Sequence, residues 1–136
     1  MTRYVITPDV AIELVERVGR GARLAPDVKL VAPTLLRSQV LAILYRQVAA
    51  GELDKKQADI RLDVVRRLYI RLLGDRVLQA KAWNVAAELG WSDTYDAEYV
   101  ALARLQADAL VTGDAVLAAA VRHLVTVAAI DDLLDS

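Results

Sequence analysis

The chain has 136 residues, with 17 lysines and arginines against 18 aspartates and glutamates and a net charge of −1. That length suits one domain with one core over residues 1–136, and that balance gives no global attraction to nucleic acid, so any contact with phosphates must come from local arginines or from a metal. With no cysteine and a lone histidine, His123, disulfide scaffolds, thiolate sites and histidine-rich zinc sites are excluded.

No run of about 18 uncharged apolar residues exists, so no membrane span is expected. The chain reaches Pro8 and Asp9 after a few apolar residues, too soon for a signal peptide, and a cytoplasmic protein is expected. Hydrophobic residues make up 56%, which is apolar for a soluble chain and points to surface buried against a partner or a second copy. No internal repeat or low-complexity linker interrupts the sequence.

Arg3-Tyr4-Val5-Ile6 reads as a first strand, rich in β-branched and aromatic residues. Thr7-Pro8-Asp9 then opens a helix over residues 8–18. Threonine suits the cap, proline the first position and aspartate the first turn. Val10, Leu14 and Val18 are expected to face inward, and Gly19-Arg20-Gly21 ends the helix. A second strand at Val28-Lys29-Leu30-Val31 is followed by a helix over 34–50, with Leu36, Val40, Ile43, Leu44 and Val48 as its apolar stripe. Residues 53–68 predict a third helix and 69–73 a strand, with Asp75 capping a helix over 76–89. Gly90 closes that helix, and Ser92 or Asp93 caps the next, which runs to about Leu105. Ala109 to Thr112 is a buried strand, Ala115 to Arg122 a short helix, 124–127 a last strand, and 130–134 a final helical turn.

Strands thus alternate with helices, and continuous apolar strands such as Ala109-Leu110-Val111 suit a parallel sheet covered on both faces. Ligands of such sheets sit beyond the carboxyl ends of the strands, near a topological switch point. Thr7, Asp9 and Asp114 lie at predicted strand ends, and Asp93 and Asp96 at a helix start, so one shared divalent-metal pocket is plausible. Each aspartate also has a purely structural reading. Asp93 and Asp96 can form a capping box, Asp114 can cap the helix after it, and Asp9 gains from the helix dipole alone. Asp54 and Asp75 repeat the cap pattern without acidic partners and read as structural. Glu13 can join a site or be solvated, and Glu98 is expected to face water. Arg37, Arg46, Arg104 and Arg122 could touch RNA phosphates, with the solvated or ion-paired surface reading favoured, and Trp83 and Trp91 read as core or interface. Neither a phosphate-binding Walker loop nor a dinucleotide glycine fingerprint is present.

Tyr95-Asp96-Ala97-Glu98-Tyr99-Val100-Ala101-Leu102-Ala103 resembles the Y-D-A-x-Y-V-A-L-A helix of the PIN-domain family, in particular of the VapC-type toxins of bacterial toxin–antitoxin pairs. Thr112-Gly113-Asp114 matches the family's T-x-D strand end. The stretch from Val31 to Leu41 is similar to its A-P-x-L-L-x-x-E-V helix start, and Tyr4-Val5-Ile6 to its first strand. The resemblance covers nearly the whole chain. It implies a three-layer α/β/α sandwich around a central parallel sheet. It also implies an acidic cluster holding Mg²⁺ or Mn²⁺ for RNA cleavage, and a small antitoxin protein as partner.

Two family acids are replaced here. The first-strand acid corresponds to Thr7 and the second, a glutamate, to Gln39, while Asp96 and Asp114 carry over. The resemblance thus implies a metal-dependent endoribonuclease resting on Asp96, Asp114 and Asp9, with Asp93 as an extra metal-side acid. Thr7, Gln39 and Thr112 would then serve as substrate or supporting residues. The competing expectation is a catalytically degenerate protein of the same fold that binds RNA or a partner protein. A homodimer is expected under either.

Overall fold

The computed structural model describes residues 1–135. Five strands form one sheet: β1 (Thr2–Ile6), β2 (Val28–Pro33), β3 (Arg71–Leu73), β4 (Ala109–Val111) and β5 (Val127–Ala128). Six helices connect them: α1 (Pro8–Gly19), α2 (Leu35–Ala49), α3 (Lys55–Arg67), α4 (Arg76–Leu89), α5 (Tyr95–Gln106) and α6 (Ala115–Val121). A 3₁₀ turn at Ile130–Leu133 follows. Every strand pair is parallel, and the order across the sheet is β3-β2-β1-β4-β5. Right-handed crossovers put α1, α2 and α3 on one face and the later helices on the other.

β1 is the centre of the sheet. Val5 and Ile6 are fully buried between β2 and β4, with Ile6 in register with Val111. From β1 the chain turns through α1 toward β2, and from β4 it turns through α6 toward β5. The connections leave in opposite directions, so a crevice opens between the carboxyl ends of β1 and β4.

Helix α5 explains how the acidic motif reaches that crevice. Ala97, Tyr99, Val100, Ala101, Leu102 and Ala103 are all buried, so the helix is apolar nearly all round and sits between α4 and the sheet. Its alanines allow close approach. The polar residues Asp96 and Glu98 are confined to its first turn, beside the crevice.

Several local expectations are corrected. Tyr69 and Ile70 precede β3; Tyr69 adopts a left-handed backbone (φ 52°) that ends α3, and is 87% exposed. Leu124 and Val125 are not strand residues, because their amides bond to the Val121 carbonyl and extend the last turn of α6. The cap position of α5 is held by Thr94, not by Ser92 or Asp93, and its side chain makes no capping bond. Val18, Ile43 and Val48 are half-buried and pack against the core as expected, whereas Trp83 is exposed and not part of the core. The expected structural caps are present: Asp54 accepts from Gln57 N–H at 2.7 Å and Asp75 from Leu78 N–H at 2.9 Å.

Candidate metal centre

Thr7 follows β1 and is 3% exposed. It holds the N-cap position of α1, yet its hydroxyl does not cap the helix. The hydroxyl donates instead to the Asp9 carboxylate and lies 3.3 Å from the Val111 carbonyl oxygen. The other Asp9 oxygen, Oδ2, accepts from the Gly113 N–H at 2.8 Å. Asp9 therefore ties the start of α1 to the loop after β4, 104 residues away. Only glycine permits this approach, since a Cβ at position 113 would stand 2.5 Å from Asp9 Oδ2.

Asp114 Oδ1 accepts from the N–H groups of Val116 (2.9 Å) and Leu117 (3.1 Å) and so caps α6. Thr112 Oγ1 accepts from the Asp114 N–H at 3.1 Å and stiffens the same loop. Asp93 Oδ1 accepts from the Tyr95 N–H at 3.1 Å, and the capping box expected between Asp93 and Asp96 does not form. Asp96 is left without a hydrogen bond among the described residues. Its carboxyl is pushed above the usual range, first by desolvation and then by the negative charges of Asp114, Asp93 and Asp9. The other three sequence-selected aspartates thus all act on Asp96.

The remaining candidates divide. Gln39 reaches the same end of the sheet, where its Oε1 accepts from the Tyr99 hydroxyl at 2.6 Å. Burial raises the Tyr99 pKa, followed by the charges of Glu98, Asp96 and Asp9, so Tyr99 stays a neutral donor. Nothing in the helix pattern had marked Tyr99 for more than packing. Glu13 is paired with Arg17 at 3.0 Å and is not among the charges that act on Asp96. Contrary to expectation, Glu98 is half-buried, and desolvation raises its pKa. Arg37 lines a 610 Å³ apolar groove with Leu36, Val40, Leu62 and Val65, on the α2–α3 side of the sheet. Trp91 flanks Asp93 and Asp96 at a small pocket, and His123 is exposed.

Among the described residues no three acidic or histidine side chains converge to enclose an ion. Zinc- or calcium-type cages are therefore not built here. Magnesium asks for less: it keeps several waters and is held by one or two carboxylates together with substrate phosphates. The hard oxygens of Asp96 and Asp114, with Asp9 and Asp93 adding charge, are of the chemical type that such an ion takes.

The repulsion at Asp96 has a measurable consequence in metal-free protein. Between the ordinary carboxyl pKa and the raised one, the folded state binds more protons than the unfolded chain. Stability therefore falls as pH rises through that window, and the penalty is fully present above it. Asp96→Asn removes the charge. It is expected to melt higher than the parent at pH 7 in EDTA, with the gain shrinking as pH falls through that window and the parent carboxyl takes up its proton. A variant that melts lower at pH 7 would contradict this field.

No family model and no curated protein sequence matches the chain. Solved structures do. The structure of PAE2754 from Pyrobaculum aerophilum is similar with a TM-score of 0.74 and 21% identity, over 96% of this chain and 90% of that one. VapBC2 from Rickettsia felis, bound to a DNA fragment from their promoter, matches with a TM-score of 0.60 and 17% identity, over 93% and 98% of the two chains. VapBC-1 from nontypeable Haemophilus influenzae matches with a TM-score of 0.59 and 17% identity, over 95% and 98%. At these identities the likeness is one of fold, and the fold is the PIN-like α/β/α sandwich around a parallel sheet.

Proposed function

We propose that the chain is a metal-dependent endoribonuclease that hydrolyses RNA phosphodiester bonds at Asp96, Asp114 and Asp9, with Asp93 adding negative charge. The observation that carries this reading is the grouping of Asp9, Asp96 and Asp114 at the crevice, where Asp9 is bonded to the loop that carries Asp114 and both charges act on Asp96. Such a field is costly unless a cation offsets it. Asp96 and Asp114 would hold the ion. Asp9, fastened by Thr7 and the Gly113 N–H, keeps its charge fixed beside them. Mg²⁺ or Mn²⁺, when bound there, supplies an activated water and offsets charge on the phosphate. The ion also weakens the repulsion between the carboxylates and the RNA backbone, so RNA is expected to bind more tightly once metal is loaded.

The VapBC likenesses support an antitoxin-type protein partner. The exposed Trp83 and Val77 on α4, 71% and 62% accessible, support a second copy of the chain as a further partner. No helix among the described residues is long and apolar enough to cross a membrane, and the reading includes a cytoplasmic setting. The purified chain is expected to cut an RNA pool in Mn²⁺ and not in EDTA, read on denaturing gels. Intact RNA under both conditions would favour the second reading, a degenerate PIN-fold module that binds RNA or protein. That reading draws on one observation: Thr7 and Gln39, where the family has acids, are neutral and engaged in internal hydrogen bonds.

A further inference from the structure

Tyr99 is 1% exposed, and its hydroxyl has one hydrogen-bond partner among the described residues, Oε1 of Gln39 at 2.6 Å. A buried hydroxyl needs an acceptor, and this one remains protonated, so it donates. That settles which way the Gln39 amide is turned. Its oxygen faces Tyr99, and its unspent capacity is the two N–H donors of Nε2, which take no partner among the described residues. Gln39 is itself only half-buried, so those donors are within reach of solvent and ligand. Tyr99 lies one turn from Asp96 on α5, and Gln39 lies in the first turns of α2 just beyond the carboxyl end of β2, which puts the pair beside the carboxylate cluster.

We propose that Gln39, turned by Tyr99, is a phosphate-binding donor of this site and not a metal ligand. The inference rests on the nuclease reading for its setting, but not for its chemistry. An amide whose free groups are N–H donors repels a cation and attracts an anionic oxygen. An RNA phosphate is the anion that the proposed activity brings there. The exchange of a carboxylate for this donor also removes one negative charge from a site that must admit a polyanion. Tyr99 acts as a positioning residue, because it touches Gln39 and not the phosphate.

The test separates RNA contact from metal contact. Binding of a fluorescein-labelled mixed-sequence RNA oligonucleotide is measured by anisotropy in EDTA, and Mn²⁺ binding by calorimetry, for the parent, Gln39→Leu, Gln39→Glu and Tyr99→Phe. Gln39→Leu and Tyr99→Phe are expected to weaken RNA binding at least threefold and to leave Mn²⁺ affinity within twofold of the parent. Gln39→Glu is expected to weaken RNA binding further and to tighten Mn²⁺ at least tenfold. Thermal midpoints establish that each variant is folded, and a merely structural role for Tyr99 would move the midpoint without this split. The proposal is overturned if the parent does not bind the RNA in EDTA, if Gln39→Leu binds it as the parent does, or if Gln39→Leu loses Mn²⁺. A parent that binds RNA through Gln39 but never takes up Mn²⁺ would overturn the nuclease reading alone.

Discussion

Asp96→Asn and Asp114→Asn are each expected to reduce Mn²⁺-dependent RNA cleavage at least ~100-fold, about 3 kcal/mol of transition-state stabilisation, while both proteins stay folded. The two substitutions remove charge and little else. Asp96 makes no hydrogen bond among the described residues, so an amide there leaves no broken partner, and the repulsion from Asp114, Asp93 and Asp9 is relieved. Asp114 caps α6 through Oδ1, and asparagine caps as well as aspartate, so Asp114→Asn keeps the helix start. Alanine at 114 would mix the two roles, because losing the cap costs about 1 kcal/mol on its own. Initial rates on one RNA substrate, with melting curves beside them, check this. Variants that cleave at the parent rate would remove these carboxylates from the chemistry.

Thr7→Asp combined with Gln39→Glu is expected to have the largest effect on stability and to make it metal-dependent. Thr7, only 3% exposed, donates its hydroxyl to the carboxylate of the more exposed Asp9. An aspartate at 7 would replace that donor with a second carboxylate against the first. A buried charge at position 7 beside a like charge at Asp9 should cost about 2–4 kcal/mol in the metal-free protein. A divalent ion binding between them offsets the penalty, and at a concentration of 100 times its Kd it adds about 2.7 kcal/mol. The double variant should therefore melt well below the parent in EDTA and recover most of the difference in Mn²⁺. Equal Mn²⁺ affinity in the parent and the double variant would show that positions 7 and 39 do not border the ion site.

Much of this fold was legible because its signals are local. Val5-Ile6, Leu30-Val31 and Leu110-Val111 read as strands, the last as a buried one, and all are buried in the sheet. Asp54 and Asp75 read as caps from their position before helices and are caps. Where the reading failed, a neighbour decided. Leu124 and Val125 have strand-like side chains, but the last turn of α6 claims their amides. Thr7 is a good cap by type, yet Asp9 and the Val111 carbonyl offer its hydroxyl partners that only the folded sheet supplies.

The site follows the same division. The four aspartates stand out in the sequence because they fall at strand ends and helix starts. Their internal engagements do not, since Asp9 meets Gly113 across 104 residues and Tyr99 meets Gln39 across 60. Glu98 misled for a related reason. Two residues from Asp96 it belongs to another helix face, but α5 is packed nearly all round, so that face is half-buried as well.

The most direct test of the carboxylate site is a calorimetric Mn²⁺ titration of metal-stripped parent and Asp96→Asn, each alone and with the RNA oligonucleotide present. The account predicts that the parent binds Mn²⁺, and more tightly with RNA because phosphate oxygens complete the ion's shell, whereas Asp96→Asn binds at least tenfold more weakly in both settings. A parent that takes up no Mn²⁺ with or without RNA, or a variant that binds as the parent does, would contradict it.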